Sequence, residues 1–214
     1  GFAEGNNVGA RNAEGDYVAF LNNDTHVDEH WLLELVNPIL ANGVVSTASK
    51  ILTWDGKRID FAGGIITFCG MGVQRGMHAP SEKYNDEEDT LFACGASMLV
   101  DRKVFLDVGG FDRDYFIFYE DVDLGWRLWL SGYRVVYCPK SIVYHSHHGT
   151  MKNPFRNWFL YERNALYTIA KNYEDEYFER ILPCALSLVM KRIMLDFGVR
   201  VSSPVKPAGL GRGF

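Results

Sequence analysis

Residues 17–25 read Tyr17-Val18-Ala19-Phe20-Leu21-Asn22-Asn23-Asp24-Thr25. The first five residues form a continuous apolar run of strand length, which is typical of a strand buried in a parallel sheet. The run ends at two amides and a carboxylate, and ligands of open α/β sheets bind beyond the carboxyl ends of the strands. A carboxylate flanked by amides suits a hard divalent cation shared with phosphate oxygens. Asn and Asp are equally ordinary in a turn that precedes a helix, so both interpretations remain open.

The sequence on either side of this stretch alternates between helical and strand patterns. Apolar spacing predicts a helix over 28–40, which Asn42-Gly43 closes, followed by a buried strand over 44–48. A segment rich in glycine, 55–90, predicts short hairpins and a mobile loop. Further strands are predicted at 92–100, 134–138 and 141–144, and further helices near 7–13, at 101–108 and at 121–130. We therefore predict an α/β protein with a mostly parallel sheet flanked by helices.

The last quarter of the chain has a different pattern. Residues 154–201 show helical spacing and are predicted to form a C-terminal helical extension of a core that covers 1–153. The tail, 202–214, is rich in Pro and Gly and is predicted to be disordered. Basic and apolar residues of the extension are compatible with packing on a substrate, with dimerisation or with contact to a membrane surface.

Composition restricts the class of protein. The chain has 214 residues, of which 47% are hydrophobic and 23% are charged, as in a folded globular protein. A formal net charge of −5 gives no support for a nucleic-acid partner. Four widely spaced cysteines without a CxxC pair favour reduced thiols. The longest apolar run, 181–190, is shorter than the roughly 20 residues needed to cross a bilayer. We expect a cytoplasmic protein that is soluble or attached to the inner face of a membrane.

A second informative segment lies at 109–127. An aromatic run, 115–119, leads into three carboxylates, Glu120, Asp121 and Asp123, at the start of a predicted helix. A general base must be held within hydrogen-bond reach of its proton, and packing on both sides of these acids would hold one in place. Acids in a first helical turn are also favoured by the helix dipole alone, so this segment by itself leaves a structural role open.

Histidines follow another predicted strand. His145 comes directly after the strand, and His147 and His148 come shortly after it. One of them could supply a metal ligand, or the three could form a solvated cluster. Because His145 directly follows the buried strand, it ranks first as a ligand and His147 second.

Several ordered motifs together resemble a known family. They are Gly5-Asn6-Asn7-Val8-Gly9, Leu21-Asn22-Asn23-Asp24-Thr25, Gly109-Gly110-Phe111-Asp112 and Tyr119-Glu120-Asp121-Val122-Asp123-Leu124. In this order and spacing they resemble inverting glycosyltransferases of family 2, in the rhamnosyltransferase-like branch. The resemblance covers about residues 1–172 and includes Arg163-Asn164.

The resemblance implies a GT-A fold, which is Rossmann-like, and a nucleotide-diphosphate sugar donor. Asn22-Asn23-Asp24 occupies the Asp-x-Asp position of the family, with Asn in place of the first acid. By the resemblance, Asp24 and His145 would hold Mg²⁺ or Mn²⁺. The same resemblance assigns nucleotide binding to Asn7, Asn22, Asn23 and Asp24.

The resemblance also implies a mechanism. Asp121 matches the catalytic base, and Glu120 matches its acidic partner, which holds the acceptor or orients the base. The reaction would be a metal-assisted single displacement onto a saccharide or lipid-linked acceptor, and rhamnose is suggested by the branch alone. Trp126 and Arg127 resemble residues near the acceptor and the diphosphate, although core packing explains Trp126 equally well.

One departure from the family supports alternative functions. Family members begin with a strand and loop that bind the nucleotide base, whereas this chain begins at Gly1-Phe2, after that region. We therefore expect an incomplete nucleotide site and weak activity from these residues alone. A catalytically silent binding or scaffolding module of the same fold is one alternative. A nucleotidyltransferase, which would need no acceptor base at Asp121, is another.

Overall fold

The computed structural model describes residues 1–146 and 154–196. Within these ranges the strands are β1 (Tyr17–Leu21), β2 (Thr25–Val27), β3 (Ser46–Thr53), β4 (Ile59–Phe61), β5 (Gly64–Ile66), β6 (Gly72–Gln74), β7 (Glu88–Asp89), β8 (Ser97–Asp101) and β9 (Val135–His145). The helices are α1 (Phe2–Asn12), α2 (Trp31–Asn42), α3 (Arg102–Asp107), α4 (Glu120–Leu130), α5 (Pro154–Asn172) and α6 (Asp175–Asp196), and a 3-10 turn covers Arg113–Tyr115. The predicted α/β class is confirmed.

The central sheet is mixed, so the prediction of a mostly parallel sheet is wrong. Its strands lie in the order β1-β8-β3-β9-β2, with β4 paired to β3 and β7 paired to β9. Among the described strands, β3 and β9 pair in parallel and every other pair of this sheet is antiparallel. Strands β5 and β6 form a separate antiparallel hairpin.

Helices cover both faces of the sheet, which explains the misleading apolar runs. Leu99 of β8 packs against α2 in one cluster, whereas its neighbours Met98 and Val100 pack in a second cluster on the other face. That second cluster includes Phe105 of α3 and Leu128 of α4. A strand that is buried on both faces is apolar throughout, whatever the direction of its neighbours.

Strand β9 replaces the two strands predicted at 134–138 and 141–144. Its pairing with β3 shifts from Ser49 opposite Cys138 to Lys50 opposite Ile142, so a bulge interrupts one continuous strand. The Ser141 hydroxyl group in this bulge lies 2.9 Å from the Ser49 hydroxyl group. The bulge lets β9 continue to His145, which pairs with Thr53 of β3.

The helices predicted after residue 154 are present as α5 and α6, and Ala165 of α5 belongs to the main core. No helix in the described part of the chain is both long and apolar enough to cross a membrane. The predicted disordered tail at 202–214, together with His147 and His148, lies outside the described residues.

Candidate active site

A cleft of about 550 Å³ opens at one end of the sheet. Four of the residues predicted from the sequence line it: Asn22, Glu120, Asp121 and His145. Asn22 follows β1, and its backbone N–H donates to the Ala96 carbonyl at 3.0 Å, which links the ends of β1 and β8. The structure therefore brings the polar end of β1, the acidic pair of α4 and the histidine at the end of β9 to one cleft.

Asp121 is held by two backbone N–H groups. Its Oδ2 accepts from Gly95 at 2.9 Å and its Oδ1 accepts from Val122 at 2.8 Å. Burial raises the pKa of Asp121, while these two hydrogen bonds oppose the rise by favouring the ionised form. The result is a carboxylate that is fixed in position and more basic than an exposed aspartate.

Glu120 lies beside Asp121 but has a different environment. The residue is 5% exposed, and its Oε2 has no hydrogen-bond partner among the described residues. Burial, followed by repulsion from Asp121, raises the pKa of Glu120 well above its ordinary value. Both pKa values are raised, but hydrogen bonds favour the ionised form at Asp121, so the two acids are suited to different roles.

The turn that leads into the acidic pair is strained. Phe116, Phe118 and Tyr119 have φ angles of 65°, 67° and 72°. Residues other than glycine rarely adopt this region of backbone conformation. The ring of Phe118 stacks on Tyr161 of α5, with their centroids 4.4 Å apart. Such strain persists only where the surroundings enforce it, and it concentrates at functional sites.

His145 lines the cleft and lies between two carboxylates, Asp24 and Asp60, which are not among the lining residues. His145 Nε2 lies 3.3 Å from Asp24 Oδ1, and His145 Nδ1 lies 3.0 Å from Asp60 Oδ2. Asp60 is buried and lies on β4. A carboxylate that accepts from Nδ1 leaves Nε2 as the ligand atom, an arrangement that is usual for histidines bound to metals.

Asp24 and His145 therefore have the geometry to share a cation. Across residues 1–146 and 154–196 there is no group of three His, Cys, Asp or Glu side chains that could hold a metal ion. Mg²⁺ and similar ions, however, are often bound by one or two protein ligands together with substrate phosphates. A carboxylate oxygen and an imidazole nitrogen 3.3 Å apart fit such a site.

Asp60 was missed by the sequence analysis, which assigned 55–90 to hairpins and a mobile loop. A signal was present in Ile59-Asp60-Phe61, an acid between two large apolar residues. An acid buried in such surroundings needs a partner, which can indicate a site.

The predicted nucleotide-binding asparagines have different surroundings. Asn7 is buried on α1, where its amide donates to the Phe111 carbonyl at 2.6 Å and accepts from the Phe111 N–H at 2.9 Å. Asn23 is exposed in the turn between β1 and β2. Neither is among the residues that line the cleft, and their nucleotide-binding roles remain predictions.

The other residues of the acidic segment hold the structure together. Asp123 is fully buried and forms ion pairs with Arg127 at 2.7 Å and Lys171 at 3.0 Å. Trp126 packs edge-on against Tyr173, with centroids 4.9 Å apart. Arg127 also donates to the Gly110 carbonyl at 2.7 Å. Neither Trp126 nor Arg127 lines the cleft, and both make packing or hydrogen-bond contacts within the fold.

The chain is similar to several known proteins. A model of the family described as glycosyl transferase family group 2 matches residues 17–190. The chain is 34% identical over 148 residues to the O-antigen biosynthesis protein RfbC of Myxococcus xanthus, covering 65% of this chain and 12% of that protein. It is 26% identical over 164 residues to the rhamnosyltransferase WbbL of Escherichia coli (strain K12), covering 69% of this chain and 62% of that protein.

A solved structure of GalNAc-T7 with UDP, GalNAc and Mn²⁺ matches the fold with a TM-score of 0.65 at 19% identity. The match covers 92% of this chain and 41% of that chain, and it confirms the predicted GT-A fold. This chain spans less than two thirds of the length of each of these three proteins.

Proposed function

The chain belongs to glycosyl transferase family group 2, and on that premise we propose that it transfers a sugar from a nucleotide-diphosphate donor to an acceptor hydroxyl with inversion. The acceptor is a saccharide or a lipid-linked saccharide. Rhamnose is the first candidate sugar, because the relative in Escherichia coli is named a rhamnosyltransferase. The observation that carries the proposal is the cleft that brings Asp121 and Glu120 together with His145, whose Nε2 lies 3.3 Å from Asp24.

The acid pair supplies the acceptor chemistry. Asp121, ionised and fixed by two backbone N–H groups, removes the proton from the acceptor hydroxyl. The acceptor oxygen then attacks the anomeric carbon from the face opposite the nucleotide. The bond from that carbon to the diphosphate breaks, and its electrons leave with the diphosphate. Glu120, which keeps its proton, donates a hydrogen bond to the acceptor and so holds it against Asp121.

The residues at and beside His145 suit the diphosphate. Asp24 and His145 would hold Mg²⁺ or Mn²⁺, and Asp60 would orient the imidazole. A divalent cation bound there neutralises charge that builds up on the departing diphosphate. Tyr161 also lines the cleft, where its ring would pack against a sugar ring.

The proposal is tested by calorimetric titration of UDP-, GDP- and dTDP-linked sugars with and without Mn²⁺, followed by assays of nucleoside-diphosphate release with saccharide acceptors. We expect binding that strengthens with Mn²⁺ and release that depends on the acceptor. Binding without release across the panel would instead support a silent binding module.

Asp24→Ala tests the proposed metal site at Asp24 and His145. This variant should lose the strengthening by Mn²⁺ but keep the weaker metal-independent binding. Asp28→Ala is the matched control, since Asp28 lies near the same turn and its carboxylate accepts from the His30 backbone N–H at 3.0 Å. An Mn²⁺ response in Asp24→Ala equal to that of the control would contradict the role of Asp24.

A further inference from the structure

Helix α5 holds the strained turn through one side chain. The amide nitrogen of Asn164 donates to two carbonyl oxygens of that turn, Ile117 at 3.0 Å and Phe118 at 2.7 Å, and it lies 3.2 Å from a third, the carbonyl of Tyr115 just before the turn. Asn164 is fully buried. Asparagine is a poor residue for a helix interior, so these tertiary hydrogen bonds offset a local cost.

The orientation of this amide is fixed by its neighbour. Arg163 donates to the amide oxygen of Asn164 from Nε at 2.8 Å and from Nη2 at 2.6 Å. Because a guanidinium can only donate, the oxygen must face Arg163 and the nitrogen must face the carbonyls. Arg163 Nη2 also donates to the carbonyls of Asp114 and Tyr115, at 2.8 and 3.0 Å.

The three carbonyls lie in the segment that sets the direction of the acidic pair. Phe118 and Tyr119 have positive φ angles immediately before Glu120, the first residue of α4. No side-chain hydrogen bond caps the start of this helix. An outside group must therefore keep the turn in its rare conformation, and Asn164 is placed to do so.

We propose that Asn164 is a positioning residue, whose amide keeps the turn at 116–119 closed so that Asp121 stands at a fixed place in the cleft. The inference rests on the proposed role of Asp121 as base. It assigns a role in the reaction to α5, whose Arg163-Asn164 pair was noted in the sequence only as part of the family resemblance.

Asn172 provides a matched control on the same helix. Its amide nitrogen donates to Asp123 Oδ1 at 3.0 Å, so it also ties α5 to α4 but does not touch the turn. Asn164→Ala and Asn172→Ala each remove one amide of α5 that hydrogen-bonds outside the helix. A merely structural role for Asn164 predicts that the two variants behave alike.

The first readout needs no turnover. Carboxyl ¹³C NMR, assigned with Asp121→Asn, follows the titration of Asp121, which faces Glu120 of α4, Cys94 before β8 and Tyr161 of α5. In Asn164→Ala the relaxed turn admits water, so the pKa of Asp121 should fall toward its ordinary value. In Asn172→Ala it should keep the wild-type value. Equal pKa values for Asp121 in the wild type and Asn164→Ala would overturn the proposal.

The second readout is kinetic. Misplacing a catalytic group by about 1 Å costs about 100-fold in rate, so kcat of Asn164→Ala should fall by about that factor with little change in the donor KM. Asn172→Ala should keep the wild-type kcat. Asp121→Asn distinguishes a failure of the positioning role of Asn164 from a failure of the proposed function. If that variant is inactive while Asn164→Ala and Asn172→Ala behave alike, only the positioning role fails. If Asp121→Asn is active, the proposed function fails as well.

Arg163→Leu is a second test of the positioning role if Asn164→Ala does not fold. It keeps the Asn164 amide but removes the group that fixes its orientation, so it should lower the pKa of Asp121 and reduce kcat by a smaller factor in the same direction. Wild-type values for both quantities in a folded Arg163→Leu variant would contradict the proposal.

Discussion

Replacing Glu120 with glutamine removes one titrating proton from the buried acidic pair while keeping the shape of the side chain. Ionised Glu120 is a nearly buried charge, with one oxygen that has no partner among the described residues. Its pKa is raised well above 4.5 by burial and then by Asp121. Between 4.5 and the raised value, the folded chain holds more protons than the unfolded chain. Stability therefore falls as pH rises through that interval.

The size of the effect follows from proton linkage. One proton contributes up to about 1.4 kcal/mol per pH unit within the interval, and nothing outside it. Below pH 4.5, Glu120 is protonated in both the folded and the unfolded chain. The free energies of unfolding of the two proteins should therefore differ there by a constant offset. Above pH 4.5 the free energy of unfolding of Glu120→Gln should rise relative to that of the wild type, by up to about 1.4 kcal/mol per pH unit. The gain should level off once the folded-state pKa of Glu120 is passed.

Urea denaturation of both proteins at a series of pH values from 4.5 to above 8 measures this difference. Glu162→Gln is the matched control, because Glu162 is also nearly buried but its two oxygens accept from Arg192 at 2.6 Å each. Losing that ion pair should destabilise the protein by about 1.5–3 kcal/mol at neutral pH, the opposite sign. A difference between Glu120→Gln and the wild type that does not change with pH would refute the reasoning.

Four further variants test other parts of the structure. Asn7→Ala leaves the buried N–H and carbonyl of Phe111 without partners, so urea denaturation should show a loss of about 2–4 kcal/mol; a loss below about 0.5 kcal/mol would contradict this. Gly125→Ala places a Cβ against the Leu91 carbonyl and 2.5 Å from Phe92 Cβ, which should cost about 1–3 kcal/mol, whereas Gly9→Ala meets open space on α1 and should stabilise by about 0.5–1 kcal/mol. Thermal or urea unfolding that gives both glycine variants the same sign would be inconsistent with the packing. Asp60→Asn should weaken Mn²⁺ binding in the presence of UDP by about 10-fold, measured by electron paramagnetic resonance of free Mn²⁺; unchanged affinity would show that Asp60 does not support His145.

Local sequence signals predicted the elements that carry the chemistry. The apolar run of β1 ends in polar residues, and the helix that begins at Glu120 carries acids in its first turn, as the sequence predicted. Because each signal lies within a few neighbouring residues, it can be identified without knowing the fold. The resemblance assigned Asp24 and His145 to one cation, whereas their contact in the structure lies at the pairing of β2 with β9, where Thr25 is opposite His145.

Features that depend on distant residues were not predictable in the same way. The antiparallel direction of β8 depends on how the chain returns through 54–96, and an apolar run carries no information about direction. The positive φ angles at Phe116, Phe118 and Tyr119 contradict local preference, since aromatic residues favour extended backbone. The carbonyls of Ile117 and Phe118 in this turn accept from Asn164, which lies more than 40 residues further along the chain.

The central claim is that Asp121 is the base that activates an acceptor hydroxyl. The most direct measurement compares Asp121→Asn with the wild type for nucleotide-sugar binding by calorimetry and for transfer by release of nucleoside diphosphate. Asparagine keeps the size of the side chain and can still accept from Gly95, but it cannot take up the proton. We predict near wild-type donor affinity with transfer lowered by at least about 100-fold. Transfer at close to the wild-type rate in this variant would contradict the account.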